Sequence, residues 1–402
     1  MSVILFLVVL FVLILVHEWG HFIVAKKTGM RVDEFGIGFP PKLFGIKKGE
    51  TEYTFNALPI GGFVKIFGEN GEIDEQSISP VATKGSDRRS EANAEAGEGG
   101  TKVVSQNTSH EASATLEYKP DPRAFNNRPK WAQALVLIAG VVMNILFAWL
   151  LFSVTYMIGV PAEVEESAAG PDSQLLIAGT LPDSPASVIP AGSEIVSVRN
   201  GAVTLDNPTP SSFSEFVTNN APAELEIEYQ QGGEVAIVMI TPAQGIVSDD
   251  PERYVVGASL ALIEIQKQSF LTAIGKGFNS TINGLQAITV GLFTLIGQSF
   301  SGTADFTQVA GPVGIVGMVG DAAAFGLTAL LTFTAIISLN LAVINLLPFP
   351  ALDGGRLVFV AIEAVTGKDI PAQWAGRINL VGFVLLLTLM VAVTYNDIIN
   401  LL

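Results

Sequence analysis

The chain has 402 residues, 49% hydrophobic and only 15% charged, with a formal net charge of −16. That balance points away from an ordinary water-soluble fold and towards a membrane protein, and the acidic excess argues against nucleic acid as a partner. With no cysteine and only three histidines, disulfides and thiolate metal ligands are excluded, and any metal site must draw on imidazole, carboxylate, amide or water.

The first element is an unbroken apolar run from Val3 to Val16 that continues to Lys26, long enough to span the hydrocarbon core at about 20 residues. No Lys or Arg precedes it, which argues against a cleaved signal peptide. The run ends in His17-Glu18-Trp19-Gly20-His21. Two histidines four residues apart share one helix face and can hold one metal ion, with a glutamate beside them, as in soluble zinc peptidases. Ionisable side chains inside a span are costly and usually mark function. Residues 1–27 therefore read as a first transmembrane helix carrying a metal motif.

Residues 28–70 read as a compact cytosolic region with a hairpin or re-entrant β-loop, Phe63-Val-Lys-Ile-Phe67 having strand-like content. Residues 71–120 turn to Glu, Ser, Ala, Gly and Thr and read as a disordered polar insertion, with His110 a solvated linker residue. A second span follows at 131–160. Of the 22 Lys and Arg residues, 15 lie between Lys26 and Lys130, whereas 159–269 holds only Arg199, Arg253 and Lys267. The positive-inside rule puts the former region in the cytosol, and the latter region and the N-terminus outside.

Residues 163–247 read as an extracytoplasmic β module. Leu225-Glu-Ile-Glu-Tyr229 and Val235-Ala-Ile-Val-Met239 are strand patterns around a turn, and Ile195-Val-Ser-Val-Arg-Asn-Gly201 is a strand entering another. The 268–300 segment is apolar but interrupted by Lys276, Asn279, Ser280, Thr281, Asn283 and Gln286, and reads as an amphipathic helix on the membrane surface. A parity argument agrees: one additional crossing there would carry Asp353 to the face opposite His17. Spans at 327–356 and 379–402 complete a four-helix count.

The third span ends in Asn345-Leu-Leu-Pro-Phe-Pro-Ala-Leu-Asp-Gly-Gly-Arg356. Pro348 and Pro350 break the helix near the cytosolic face and present Asp353 from irregular backbone. A His17/His21/Asp353 set leaves one tetrahedral position for water, as a catalytic zinc requires, with Glu18 as the base. Reading the histidines as mere packing residues leaves Glu18 and Asp353 as unexplained charges in the bilayer.

These motifs resemble the site-2 proteases, a family of intramembrane zinc metalloproteases, and most closely the bacterial regulator of sigma-E protease branch. The resemblance rests on the HExxH run, Leu58-Pro-Ile-Gly-Gly-Phe-Val-Lys65, Ala139-Gly-Val-Val-Met-Asn144, and Asn340-Leu-Ala-Val-Ile-Asn345 with the Asp353 segment. It also rests on Ala178-Gly-Thr-Leu-Pro-Asp-Ser-Pro-Ala186, which looks like part of a PDZ domain. A small β domain acting only as a spacer is the alternative for that module.

The resemblance implies a multi-pass α-helical membrane protein with four transmembrane helices, a re-entrant β-loop and an inserted α+β PDZ domain. It implies Zn2+ held by His17, His21 and Asp353, with Glu18 catalytic. Gly61, Gly62, Phe63, Val64, Lys65 and Ile66 are then the loop that pairs with an unwound substrate, and Asn340 and Asn345 hold substrate. Helix–helix hydrogen bonding is the alternative for those two asparagines and the preferred reading of Asn144.

The implied substrates are single-pass transmembrane proteins, such as anti-sigma factors or remnant signal peptides, in the bacterial cytoplasmic membrane. The active site would face the cytosolic side, with a peptide or substrate ectodomain at the PDZ domain and the bilayer as surroundings. The chain departs from the sigma-E protease pattern in having one PDZ-like segment and a long polar insertion. A non-catalytic scaffold and a metal transporter are the rival classes. The scaffold has no physical reason to keep all four site residues, and the transporter lacks a polar path through its other spans.

Overall fold

The computed structural model describes residues 2–69, 78–81, 115–118, 121–246, 250–303 and 310–401. The chain divides into two compact units, one of residues 1–148, 284–318 and 336–402, the other of 149–283 and 319–335. Five helices among the described residues are long and apolar enough to cross a membrane: α1 (Ser2–Lys27), α2 (Lys130–Ile158), α4 (Phe270–Ser301), α6 (Leu327–Leu346) and α8 (Ala372–Leu401). Between them lie α3 (Pro210–Asn220), α5 (Pro312–Ala324) and α7 (Asp353–Thr366).

The expected count was four, and α4 makes the difference. Its polar interruptions do not all face water. Tyr156 and Ser280 hydroxyls lie 2.9 Å apart, and buried Thr281 donates back to the Gly277 carbonyl. Gly277 packs directly on Ser153 of α2. Polar residues spent on helix contacts in this way do not mark a solvent-facing side.

In the first unit, β1 (Val32–Lys48) and β2 (Thr51–Ile66) pair antiparallel, and both strands bend back on themselves. Phe35 consequently faces Val64 on one side and Tyr53 on the other, while Lys47 faces Glu52. The ladder runs 44–48, 51–56, 34–37, 62–66, which leaves 62–66 as an outer edge. A core of Ala25, Met30, Val32, Ile66, Phe125, Ala132, Val136, Leu137 and Val360 seats this sheet against the ends of α1 and α2. The expected β-loop is thus a folded sheet.

The segment expected to be disordered carries a short ladder, β3 (Ile78–Val81) with β4 (Thr115–Tyr118). Ile78 and Val81 in one strand, and Thr115, Leu116 and Tyr118 in the other, are β-branched, apolar or aromatic residues that suit a ladder. The remainder of the 71–120 insertion, His110 included, lies outside the described residues.

In the second unit the β module is larger than the predicted 163–247. Its strands are β5 (Val160–Glu163), β6 (Gln174–Thr180), β7 (Glu194–Asn200), β8 (Val203–Asp206), β9 (Leu225–Gln231), β10 (Glu234–Ile240) and β11 (Ala258–Gln266). Their order is β10-β9-β7-β6-β11-β5, with β8 on β7. The predicted β9–β10 hairpin is present, with Gln231 opposite Glu234 at its turn. The strand that the sequence reading missed, β11, lies beyond a turn-rich stretch and joins the sheet between β6 and β5.

Leu175, Ile177, Ile195, Val198, Leu225, Ile227 and Leu262 from the sheet close over Phe213, Phe216 and Val217 of α3. Thr209 caps α3 through a box with Ser212. Glu166 accepts hydrogen bonds at the same helix end from Ser211 and Thr209, which hold its carboxyl below the usual range. Phe213 is the largest side chain fully enclosed by this core. Phe213→Ala removes it at an expected cost of about 3–5 kcal/mol. Limited proteolysis of the full chain in detergent should then cut faster within 160–266.

Candidate metal centre

His17 and His21 sit one turn apart on α1, both buried, their rings meeting edge to face with centroids 4.7 Å apart. Their Nε2 atoms lie 3.1 Å from each other. Asp353 Oδ2 lies 3.0 Å from His17 Nε2 and 3.3 Å from His21 Nε2. Neighbouring ligand atoms of a tetrahedral zinc with bonds of about 2.0–2.1 Å stand about 3.3 Å apart, so this triangle has the right size. The donors are two imidazoles and a carboxylate, a set zinc accepts with a position to spare.

The tautomer of His21 is set by its surroundings. Its Nδ1–H donates to the Val136 carbonyl at 2.7 Å, which leaves Nε2 bare and aimed at the triangle. A carbonyl accepts only, so the opposite tautomer has no partner there.

Close approach of α1 and α2 makes this possible. A Cβ on Gly20 would lie 2.5 Å from the Ala139 carbonyl oxygen, and one on Gly140 would overlap His21 Nε2 and lie 2.7 Å from His17 Cε1. Gly140 therefore leaves open the space beside the imidazoles that a side chain would fill.

Asp353 arrives by a route that differs from the expectation. α6 stops at Leu346, and Pro348 and Pro350 interrupt the backbone as anticipated. Asp353 is nonetheless not on irregular chain. It is the first residue of α7, with Leu352 as N-cap, where free backbone N–H groups favour a carboxylate. Ala351 turns the chain with φ 74°, a left-handed conformation unusual for alanine, and its N–H donates to Asn379 Oδ1 at 3.3 Å. A side chain at position 354 would collide with the Leu346 and Leu347 carbonyls, and one at 355 with that of Phe349. The two glycines after Asp353 are what allow so tight a turn.

A cavity of about 690 Å³ opens beside the triangle, lined among others by Glu18, His21, Asp353 and the outer strand residues Phe63, Val64, Lys65 and Ile66. The Val64 N–H points at the Glu18 carboxylate. Gly62 packs near the stem of Glu18, and Gly61 has a positive φ of 100° against Phe39. The geometry thus gathers His17, Glu18, His21, Asp353 and 63–66. It does not gather the two asparagines. Asn340 donates back to the Ile336 carbonyl of its own helix, and neither Asn340 nor Asn345 lines the cavity.

Sequence reasoning missed Arg356, Glu69 and Asn379, all on the cavity wall, with Arg356 ion-paired to Glu69. Helical spacing offered one signal, since Arg356 follows Asp353 by three residues, the interval that shares a helix face. Glu69 and Asn379 carried none. Gly140→Ala is expected to displace the imidazoles and weaken metal binding about 10-fold or more, as read by metal analysis of the purified protein.

Comparison with known proteins agrees with this centre. The family description "Peptidase family M50" matches residues 5–389. A candidate zinc metalloprotease of Clostridium perfringens is 36% identical over 391 residues, 96% of this chain and 95% of that protein. The zinc metalloprotease RasP of Oceanobacillus iheyensis is 31% identical over 440 residues, covering 99% and 98%. The regulator of sigma-W protease RasP of Bacillus subtilis is 29% identical over 435 residues, covering 99% and 98%. A match this long, spanning the HExxH helix and the Asp353 turn alike, means that the chain belongs to peptidase family M50, the site-2 protease family.

Proposed function

We propose that the chain is an intramembrane zinc endopeptidase that hydrolyses peptide bonds within the transmembrane segments of single-pass proteins. The observation that carries this reading is the His17/His21/Asp353 triangle, set at the ends of long apolar helices and opening on a cavity that Glu18 lines. His17, His21 and Asp353 would hold a zinc ion, which when bound would supply Lewis-acid polarisation of the scissile carbonyl and of the attacking water. Glu18 takes the proton of that water and returns it to the departing amine. The buried imidazoles stay fixed in orientation, and α7 presents Asp353 to them from its N-terminus.

The outer strand 62–66 addresses the other difficulty. A transmembrane helix satisfies its own backbone, so a bond within it is open to attack only after local unwinding. An edge strand replaces the lost hydrogen bonds by pairing with the extended segment. Phe63, Val64, Lys65 and Ile66 are placed for that role beside Glu18. The Bacillus subtilis relative is named a regulator of sigma-W protease, which is compatible with anti-sigma factors as one substrate class; remnant signal peptides are a second class of single-pass segment.

The topology follows from which ends meet. His21 near the end of α1 bonds Val136 near the start of α2, and Asp353 just past α6 meets His17. Residues 159–326 therefore leave and return on one side of the bilayer. A crossing by α4 needs a return crossing, and the 13 residues of α5 fall short of the roughly 20 required. That supports α4 as a surface or shallow helix, and four spans. With Lys and Arg concentrated before Lys130, the metal centre faces the cytosol and the β module lies outside, in a bacterial cytoplasmic membrane. The β module is read as a PDZ domain. Its strand β11 pairs with β5 only at 263–266, which leaves the outer edge from Ala258 to Ala261 for an added peptide.

Two outcomes test the reading. Glu18→Gln should abolish cleavage of a model transmembrane substrate while the purified protein keeps one zinc; turnover by that variant removes the proposed base. Stripping the metal with a chelator should stop cleavage by the wild type, and zinc should restore it.

A further inference from the structure

Asn144 lies one turn beyond Gly140 on α2 and is fully buried. Its backbone carbonyl accepts a hydrogen bond from Ser338 Oγ of α6 at 2.8 Å, so the contact with α6 is made by its main chain. The side chain is left to His17: Nδ2 stands 3.2 Å from His17 Nδ1, while Oδ1 has no hydrogen-bond partner. A buried carbonyl oxygen without a donor is costly. A half-turn of the carboxamide exchanges its two ends without moving the backbone.

His17 settles which end faces it once a metal is held. Its Nε2 points at Asp353 and at His21 Nε2, and a ligating nitrogen carries no proton. The neutral ring then has its proton on Nδ1, where an N–H needs an acceptor. The amide nitrogen of Asn144 cannot accept, whereas its oxygen can. In the opposite arrangement Nδ2 donates to Nδ1, the ring proton sits on Nε2, and the ligand position is blocked.

We propose that Asn144 is a positioning residue for His17, its Oδ1 accepting the Nδ1–H when the centre is loaded. It does for His17 what the Val136 carbonyl does for His21. Both imidazoles are then oriented from α2, one by main chain and one by side chain. This inference rests on the zinc-peptidase reading above and adds to it a residue that contacts neither metal nor substrate.

The test is equilibrium zinc binding by chelator competition in detergent, with thermal unfolding of the metal-free protein as a control on folding. Asn144→Leu keeps the size and removes the acceptor, and should weaken zinc binding about 10–100-fold. Asn144→Asp can accept but not donate, and should stay close to wild type; with cobalt in place of zinc its visible spectrum should keep the wild-type band pattern. If Asn144→Leu binds zinc as tightly as wild type, or a folded Asn144→Asp is as weak as Asn144→Leu, the positioning role is wrong. Should Asn144→Leu not fold, Asn144→Asp decides alone, with loss of zinc against the role and retention for it. Absence of zinc from the wild type defeats the peptidase reading instead, so the two failures are distinguishable.

Discussion

Two imidazole nitrogens and a carboxylate oxygen lie within 3.3 Å of one another, a grouping that one shared cation would satisfy. Bringing three such groups together away from bulk water is costly unless they are paired or coordinate an ion. Everything that positions these atoms is built around that requirement. Residue 17 meets residue 353 across 336 positions of sequence, and the partners that orient the rings come from a third helix. Because the site draws on widely separated elements, metal affinity and assembly of the helices are linked: what stabilises one stabilises the other.

The second constraint is the supply of main-chain partners. Helices α1, α2, α6 and α8 satisfy their own backbones, and the sheet of β1 and β2 brings an outer strand edge to the same cavity. A hydrolytic centre among self-contained helices needs such a strand to engage an extended chain. In the proposed function, its placement beside Glu18 would join recognition and chemistry in one cavity.

The parts legible in sequence were those with local periodicity or fixed spacing. His17 and His21 follow from a four-residue interval on an apolar helix, and the twin prolines announced the break before Asp353. The β9–β10 hairpin was visible in alternating residues around a turn. What stayed hidden depends on tertiary contact. Arg356 and Glu69 are ordinary charges until the fold pairs them. Asp353 becomes a helix N-terminus only because Gly354 and Gly355 let the chain turn against α6. Four polar residues of α4, Lys276, Asn279, Asn283 and Gln286, are exposed, whereas the contact of Ser280 with Tyr156 could not be read from the sequence. Asn144 was read as a bond between spans, and its side chain does join α2 to α1; what the sequence did not show is that the partner is His17.

The contact between α1 and α2 at Gly20 and Gly140 leaves no slack for sliding or rotation. Gly20 meets the Ala139 carbonyl and the Met143 side chain, and Gly140 meets the two imidazoles, so the helices are closely packed at the level of the ring pair. Any breathing that admits a polypeptide to the cavity must be absorbed elsewhere, by the strand edge, the α6–α7 bend or α8. In the proposed function, catalytic geometry and substrate entry would thereby fall to different parts of the molecule, and admitting a polypeptide need not loosen the ring pair.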